Sequence, residues 1–138
     1  MPLLEDQLTI KRSTIPGAGK GLFTRKFIAK GTRIVQYKGY TTTWKAVQQR
    51  KDFNGYVYYI NRNTVIDAKN YVTTFARYAN DANGLTRIKN VKNNCTYIVE
   101  GNRVFVEALK DIHPGEELFV SYGRAYWEVI RYNMKLSV

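Results

Sequence analysis

Ile112-His113-Pro114-Gly115-Glu116-Glu117-Leu118-Phe119-Val120-Ser121-Tyr122-Gly123 is the stretch on which the fold of this chain turns. Its Pro-Gly pair makes a turn spanning Asp111 to Glu117, and Leu118 to Tyr122 follow as a strand of apolar and aromatic residues. Glu116 and Glu117 are neighbours on extended chain, so their carboxylates point to opposite faces and cannot act as an acid–base pair. Beyond Gly123, Tyr126, Trp127, Ile130 and Tyr132 give residues 124–138 enough amphipathic character for a C-terminal helix.

Upstream, short extended segments alternate with turns. Leu8 to Lys11 alternates like a strand, Pro16-Gly17-Ala18-Gly19-Lys20-Gly21 is a glycine-bearing turn, and Leu22-Phe23-Thr24 resumes a strand. Arg33 to Tyr37 is another strand. Thr41 to Asn54 reads as a short polar helix with Trp44, Val47 and Gln48 at helical spacing. Tyr56 to Ile60 and Thr64 to Asp67 form a hairpin around Asn61-Arg62-Asn63. Asn70 to Ala79 holds one helical turn before the polar loop Asn80-Asp81-Ala82-Asn83-Gly84. Cys95 to Val99 pairs with Val104 to Ala108 across Gly101-Asn102.

The 138 residues suit one domain with a real core, and 44% apolar content excludes a disordered chain. Eleven tyrosines are the compositional oddity. Tyrosine serves half-buried pockets, where the ring packs and the hydroxyl finds a partner. No apolar run approaches the roughly 18 residues that span a bilayer, so no membrane partner is expected. The opening Met1-Pro2-Leu3-Leu4-Glu5-Asp6 lacks the layout of a signal peptide. A single cysteine, Cys95, excludes a disulfide framework and a cysteine-rich zinc cluster, and no metal site is expected. Cys95 reads as a small buried apolar residue, and the lone His113 as a surface residue of a turn. The expected compartment is reducing and intracellular.

Net charge is +11. Such a balance attracts nucleic acid or acidic protein surfaces. The cations are nonetheless scattered along the chain, at Lys11-Arg12, Lys20, Arg25-Lys26, Arg50-Lys51, Arg87, Lys89 and Lys92.

Four segments, in this order, resemble the SET-domain family of protein lysine methyltransferases. Gly17-Ala18-Gly19-Lys20-Gly21-Leu22-Phe23 with Ile28-Ala29-Lys30-Gly31-Thr32 is similar to the family's GxG turn and the strand and turn after it. Val65-Ile66-Asp67-Ala68 is similar to its "IDA" strand end. Arg77-Tyr78-Ala79-Asn80-Asp81-Ala82 stands where the family has Arg-Phe-x-Asn-His-Ser, followed by Asn93-Asn94-Cys95 in place of Pro-Asn-Cys. The stretch from Ile112 to Gly123 is the fourth. Each piece is common alone; the ordered set covers about Leu8 to Trp127. The compact layout, without cysteine-rich flanks, looks most like the small stand-alone viral and bacterial members.

The resemblance implies a single SET domain over residues 1–138, with a helical tail over 124–138. The implied fold is mainly β with short helices, a β-clip of small curved sheets with knot-like C-terminal threading. It also implies S-adenosylmethionine as cofactor and transfer of its methyl group to a lysine of another protein. By resemblance Tyr122 is the catalytic tyrosine, and Tyr56, Tyr97 and Val120 line the lysine channel. Ala18, Gly19, Lys20, Arg77, Tyr78, Asn80 and Asp81 hold the cofactor, with Tyr126 and Trp127 packed on its adenine. Structural roles stay open beside these: a core tyrosine at position 122, a turn cap at Asn80, a docked helix face at Tyr126 and Trp127.

Three departures matter. Asp81 replaces the usual histidine and Ala82 the usual serine, which leaves either a backbone-holding hydrogen bond or weakened catalysis. Ser121 replaces a common aspartate. Val120 stands where an aromatic influences methyl number, so mono- or dimethylation is expected, with Tyr97 in that role. A histone tail is the expected substrate, its basic charge met by Asp52, Asp67, Glu100 or Glu107, or the chain docks on DNA or a nucleosome through its own basic surface. Two copies forming a homodimer, and a location at chromatin in a nucleus or host-cell nucleus, are further expectations. Two rival readings remain: an inactive SET-like peptide-binding module, and a basic nucleic-acid-binding β-domain.

Overall fold

The computed structural model describes residues 3–50, 56–84, 86–123 and Tyr126. Among the described residues, nine strands form three antiparallel three-stranded sheets. The first contains β1 (Leu8–Arg12), β2 (Lys20–Thr24) and β9 (Glu117–Leu118), in the order β1-β2-β9. The second joins β3 (Arg33–Gln36), β8 (Arg103–Ala108) and β7 (Cys95–Glu100), and the third β4 (Tyr40–Thr42), β6 (Thr64–Asp67) and β5 (Val57–Asn61). The middle strands β2, β8 and β6 carry the apolar runs Leu22-Phe23, Val104-Phe105-Val106 and Val65-Ile66. Hydrogen-bonded on both edges, they are buried over most of their length. Leu22, Ile34, Val104, Val106, Ile112, Leu118 and Val120 are fully buried in one core cluster. Each contributes on the order of 1.5–3 kcal/mol of apolar burial.

Local chemistry moves two expected boundaries. Thr41 and Thr42 belong to β4, facing Ile66 and Val65, and the helix α1 runs over Trp44–Arg50. β-branched threonines suit a strand, while Thr43 Oγ1 accepts the Ala46 N–H at 3.2 Å and caps the helix. The expected end of that helix at Asn54, like the tail over 124–138 apart from Tyr126, lies outside the described residues. The β5–β6 hairpin closes on Arg62-Asn63 alone, because Asn61 still pairs with Thr64.

The expected last strand divides. Glu117 and Leu118 pair with Phe23 and Leu22, and the chain then leaves that sheet. Phe119 forms a parallel bridge with Asn80, and Val120 another with Cys95. Buried Asn94 completes the passage: its Nδ2 donates to the Glu117 carbonyl at 2.9 Å, and its Oδ1 accepts the Phe119 N–H at 2.8 Å. Residues 117–122 therefore run between the Asn80 loop and the start of β7, the knot-like threading expected of the C-terminal segment. Among the described residues no helix is long and apolar enough to cross a membrane.

Candidate active site

The β1–β2 hairpin turn, the Asn80 loop and Tyr122 meet around a cleft of about 780 Å³. That volume suits a small-molecule ligand. One wall is the turn from Ile15 to Lys20. Gly17 and Gly19 sit at φ +80° and +75°, a region costly for residues with a Cβ, and nothing lies within 4 Å of where a Cβ would stand. The backbone there is open to close approach. The opposite wall carries Arg77, Tyr78, Asn80, Asp81, Gly84 and Thr86, with Tyr56, Val72, Tyr122 and Tyr126 completing the lining.

Buried Glu117 ties these walls together. Its carboxylate accepts from Ser13 Oγ at 2.7 Å, from Thr14 N at 2.9 Å and from Thr14 Oγ1 at 2.7 Å, which pins the start of the hairpin turn. Asn80 Nδ2 donates across the cleft to the Lys20 carbonyl at 3.0 Å and lies 3.5 Å from Glu117 Oε2. Glu116, on the opposite face, accepts the His113 N–H instead. His113 itself is exposed, its ring tilted against that of Phe27 with centroids 5.5 Å apart.

Tyr122 is held at two points. Its hydroxyl donates to the Ala79 carbonyl at 2.5 Å, and its backbone N–H donates to Asp81 Oδ2 at 2.9 Å. Burial pushes its phenol well above the usual tyrosine range, and the nearby Tyr126, Tyr37 and Asp81 push the same way. The phenol stays neutral at any physiological pH. The Tyr126 ring packs edge-on at 5.0 Å from that of Tyr122.

Behind Tyr122 lies an aromatic cluster. Tyr97 packs edge-on against Tyr58 at 4.9 Å and Tyr37 at 6.0 Å, and the Tyr37 hydroxyl donates to the Tyr56 carbonyl at 2.6 Å. Burial raises the phenols of Tyr97 and Tyr37, so these rings too remain uncharged. Arg77 lies over the rings of Tyr56 and Tyr78, 3.9 and 4.7 Å from their centroids, and donates to the carbonyls of Ala68 and Lys69. Its Nε is buried without a hydrogen-bond partner.

Ten of the residues singled out from the sequence thus share one cleft: Ala18, Gly19, Lys20, Tyr56, Arg77, Tyr78, Asn80, Asp81, Tyr122 and Tyr126. Tyr97 stands behind it in the aromatic cluster. Val120 does not line it, because its side chain is fully buried in the core beside Cys95. Trp127 lies outside the described residues. Asp81 borders the cleft, yet its Oδ1 accepts from Asn83 N and Asn93 Nδ2 while Oδ2 holds Tyr122.

Among the described residues, the acids expected to meet a basic tail are ion-paired or buried. Glu100 and Glu107 pair with Arg33 at 2.9 and 3.4 Å, Asp67 is buried, and Asp52 lies outside the described residues. Tyr37 and Tyr58 have no sequence signal as site-building residues beyond the abundance of tyrosine, while Asn93 and Asn94 enter only through the Asn93-Asn94-Cys95 motif, which says nothing of what they bond. Among the described residues no group of His, Cys, Asp and Glu is placed to hold a metal ion.

Comparison with known proteins places this geometry. The family profile described as SET domain matches residues 19–123. The chain belongs to the SET-domain family. Among solved structures it is similar to the methyltransferase domain of human PR domain-containing protein 2, with a TM-score of 0.63 and 26% identity over 87% of this chain and 79% of that one. No curated protein sequence matches it.

Proposed function

We propose that this chain is an S-adenosylmethionine-dependent protein lysine N-methyltransferase acting on a histone or histone-like basic protein. The observation that carries the reading is the meeting, in one cleft, of the open Gly17–Lys20 backbone, the Asn80 bridge and the doubly anchored Tyr122. The cleft's chemistry fits the cofactor. The turn leaves room for a ligand's amino-acid end, the orphaned Arg77 Nε lacks an acceptor, and Tyr126 offers a ring face. Gly17 to Lys20, Arg77 and Asn80 would hold the cofactor, with Tyr126 against its flat ring system.

S-adenosylmethionine, when bound, supplies an electrophilic methyl group. The chain's own task is alignment and desolvation rather than acid–base chemistry. An attacking lysine must be neutral, although its free pKa is about 10.4. The rings of Tyr37, Tyr58 and Tyr97 offer a poorly solvated wall that disfavours an ammonium, and the fixed charge of Arg77 works in the same direction. The Tyr122 hydroxyl directs its O–H to the Ala79 carbonyl as a hydrogen bond, so its oxygen lone pairs remain acceptors towards the cleft. Asp81, in the place of the family's histidine, holds the Tyr122 backbone, which favours a working site over an inactive module.

Incubation with methyl-labelled cofactor and a panel of histones and host proteins tests this reading. Mass spectrometry is expected to find methyl-lysine on a basic protein, stopping at one or two methyl groups. Progression straight to trimethyl-lysine removes the expected methyl number. No transfer to any lysine overturns the enzymatic reading.

A further inference from the structure

We propose that the β1–β2 hairpin and the loop following Gly84 form one cationic face that docks on the phosphate backbone of duplex nucleic acid. Arg12 and Lys20 of the hairpin and Arg87, Lys89 and Lys92 of the loop are all exposed, while Lys11, next to Arg12 on β1, points to the other face over the Phe23 ring. Among the described residues the only ion pairs are those of Arg33 with Glu100 and Glu107, so none of the five cations of this face is in an ion pair.

Scattered in the sequence, these cations are gathered by the fold. A satellite apolar cluster joins Ile15 and Ala18 of the hairpin turn to Ala82, Ile88, Val91 and Phe119, and so clamps the two elements side by side. Both border the same cleft, Lys20 from one side and Gly84 and Thr86 from the other. No acidic residue falls between Asp6 and Asp52, or between Asp81 and Glu100. The two acids beneath the face, Asp81 and Glu117, are buried and spend their carboxylates on protein donors.

The arrangement is electrostatically uncompensated. Arg12 and Lys20 are direct cross-strand partners, and like charges opposite each other destabilise a ladder. A polyanion laid over the face relieves that repulsion and releases counterions. Duplex is favoured over single strand because, among the described residues, none of the exposed large apolar side chains lies on the hairpin or the loop, and the loop following Gly84 carries no aromatic residue on which unpaired bases could stack. The inference stands apart from methyl transfer and holds whether or not the cleft is catalytic.

Fluorescence anisotropy with a labelled short DNA duplex tests it. Between about 50 and about 200 mM salt, affinity should fall with a log–log slope of about −0.9 per phosphate neutralised. A variant with Arg87→Ser, Lys89→Ser and Lys92→Ser should lose about two to three units of slope and roughly tenfold or more in affinity. Arg12→Ser, alone on the hairpin, should lose about one unit. A control with Lys26→Ser, Lys30→Ser and Lys110→Ser removes the same net charge around the Ile28–Ile112 bridge and should leave the slope within about one unit. Equal losses in both triple variants, no binding at the lowest salt, or tighter binding of a single strand of equal length would each overturn the proposal. Circular dichroism of every variant establishes that the fold is retained.

Discussion

Asp81 Oδ2 accepts the backbone N–H of Tyr122 at 2.9 Å, joining residues 41 positions apart. The other oxygen of the same carboxylate accepts from Asn83 N and from Asn93 Nδ2. One buried side chain therefore holds the end of the threaded segment, its own loop and the approach to β7 in fixed relation. The Tyr122 hydroxyl, bonded to Ala79, is fixed from the same loop.

Replacing that carboxylate should loosen the anchor without emptying the site. Asp81→Asn keeps the size but supplies one acceptor oxygen for three donors, and turns an N–H₂ towards at least one of them. A stability loss of about 1–3 kcal/mol is expected, read as a lower urea midpoint. Methyl transfer should fall further than cofactor affinity does. An unchanged midpoint contradicts the anchoring role.

Tyr122→Phe separates binding from chemistry. It leaves the Ala79 carbonyl without its 2.5 Å donor, at a stability cost of about 1 kcal/mol. The ring still packs against Tyr126, so cofactor affinity should hold while turnover drops by tenfold or more, about 1.4 kcal/mol or more of barrier. Equal losses in affinity and turnover would assign the hydroxyl to binding instead.

Gly21 tests the buried Glu117 cradle. A Cβ at position 21 would stand 2.4 Å from Glu117 Oε2 and 3.2 Å from Ser13 Cα. Gly21→Ala must displace the carboxylate that pins Ser13 and Thr14, costing about 1–3 kcal/mol as those hydrogen bonds break. Because Glu117 also neighbours Asn80, cofactor affinity should weaken with stability. Wild-type midpoint and affinity together would contradict the cradle.

Alkaline conditions should destabilise the fold early. Burial pushes the Cys95 thiol up to about 12 from its ordinary value of 9.0. Between those values the unfolded chain binds fewer protons than the folded one, so stability present below pH 9 is lost as pH rises, by up to about 1.4 kcal/mol per pH unit for this group. The buried phenols of Tyr37, Tyr97 and Tyr122 add a loss of the same sign above about pH 10. Urea midpoints measured across this range should fall steadily, and Cys95→Ala should flatten the part between about pH 9 and 10. Identical slopes in wild type and variant would exclude the thiol as the cause.

Much of the strand pattern was legible because it rests on local chemistry. The Leu22-Phe23, Val65-Ile66 and Val104-Phe105-Val106 runs announce buried strands, and Gly101-Asn102 announces the turn between β7 and β8. The walls of the cleft were legible through the order of four motifs rather than through any residue alone. The rest depends on long-range pairing. Nothing local says that Phe119 and Val120 leave one sheet to run beside Asn80 and Cys95, or that Asn94 stands in for a strand edge there. The motif placed Val120 beside the lysine channel, and the fold buries it in the core cluster next to Cys95, a neighbour 25 positions away that no local pattern announces. A basic surface was expected from the net charge, but which cations compose it was hidden, since Ile15, Ala82 and Ile88 meet only after the chain is folded.

The most direct test of the central claim is calorimetric titration of the purified chain with S-adenosylmethionine, repeated with Asn80→Ala. The account predicts saturable heat in the wild type and at least about tenfold weaker binding in the variant, which loses the bridge to the Lys20 carbonyl. No heat at any cofactor concentration, with or without a lysine peptide present, would contradict it, as would equal affinity in the two proteins.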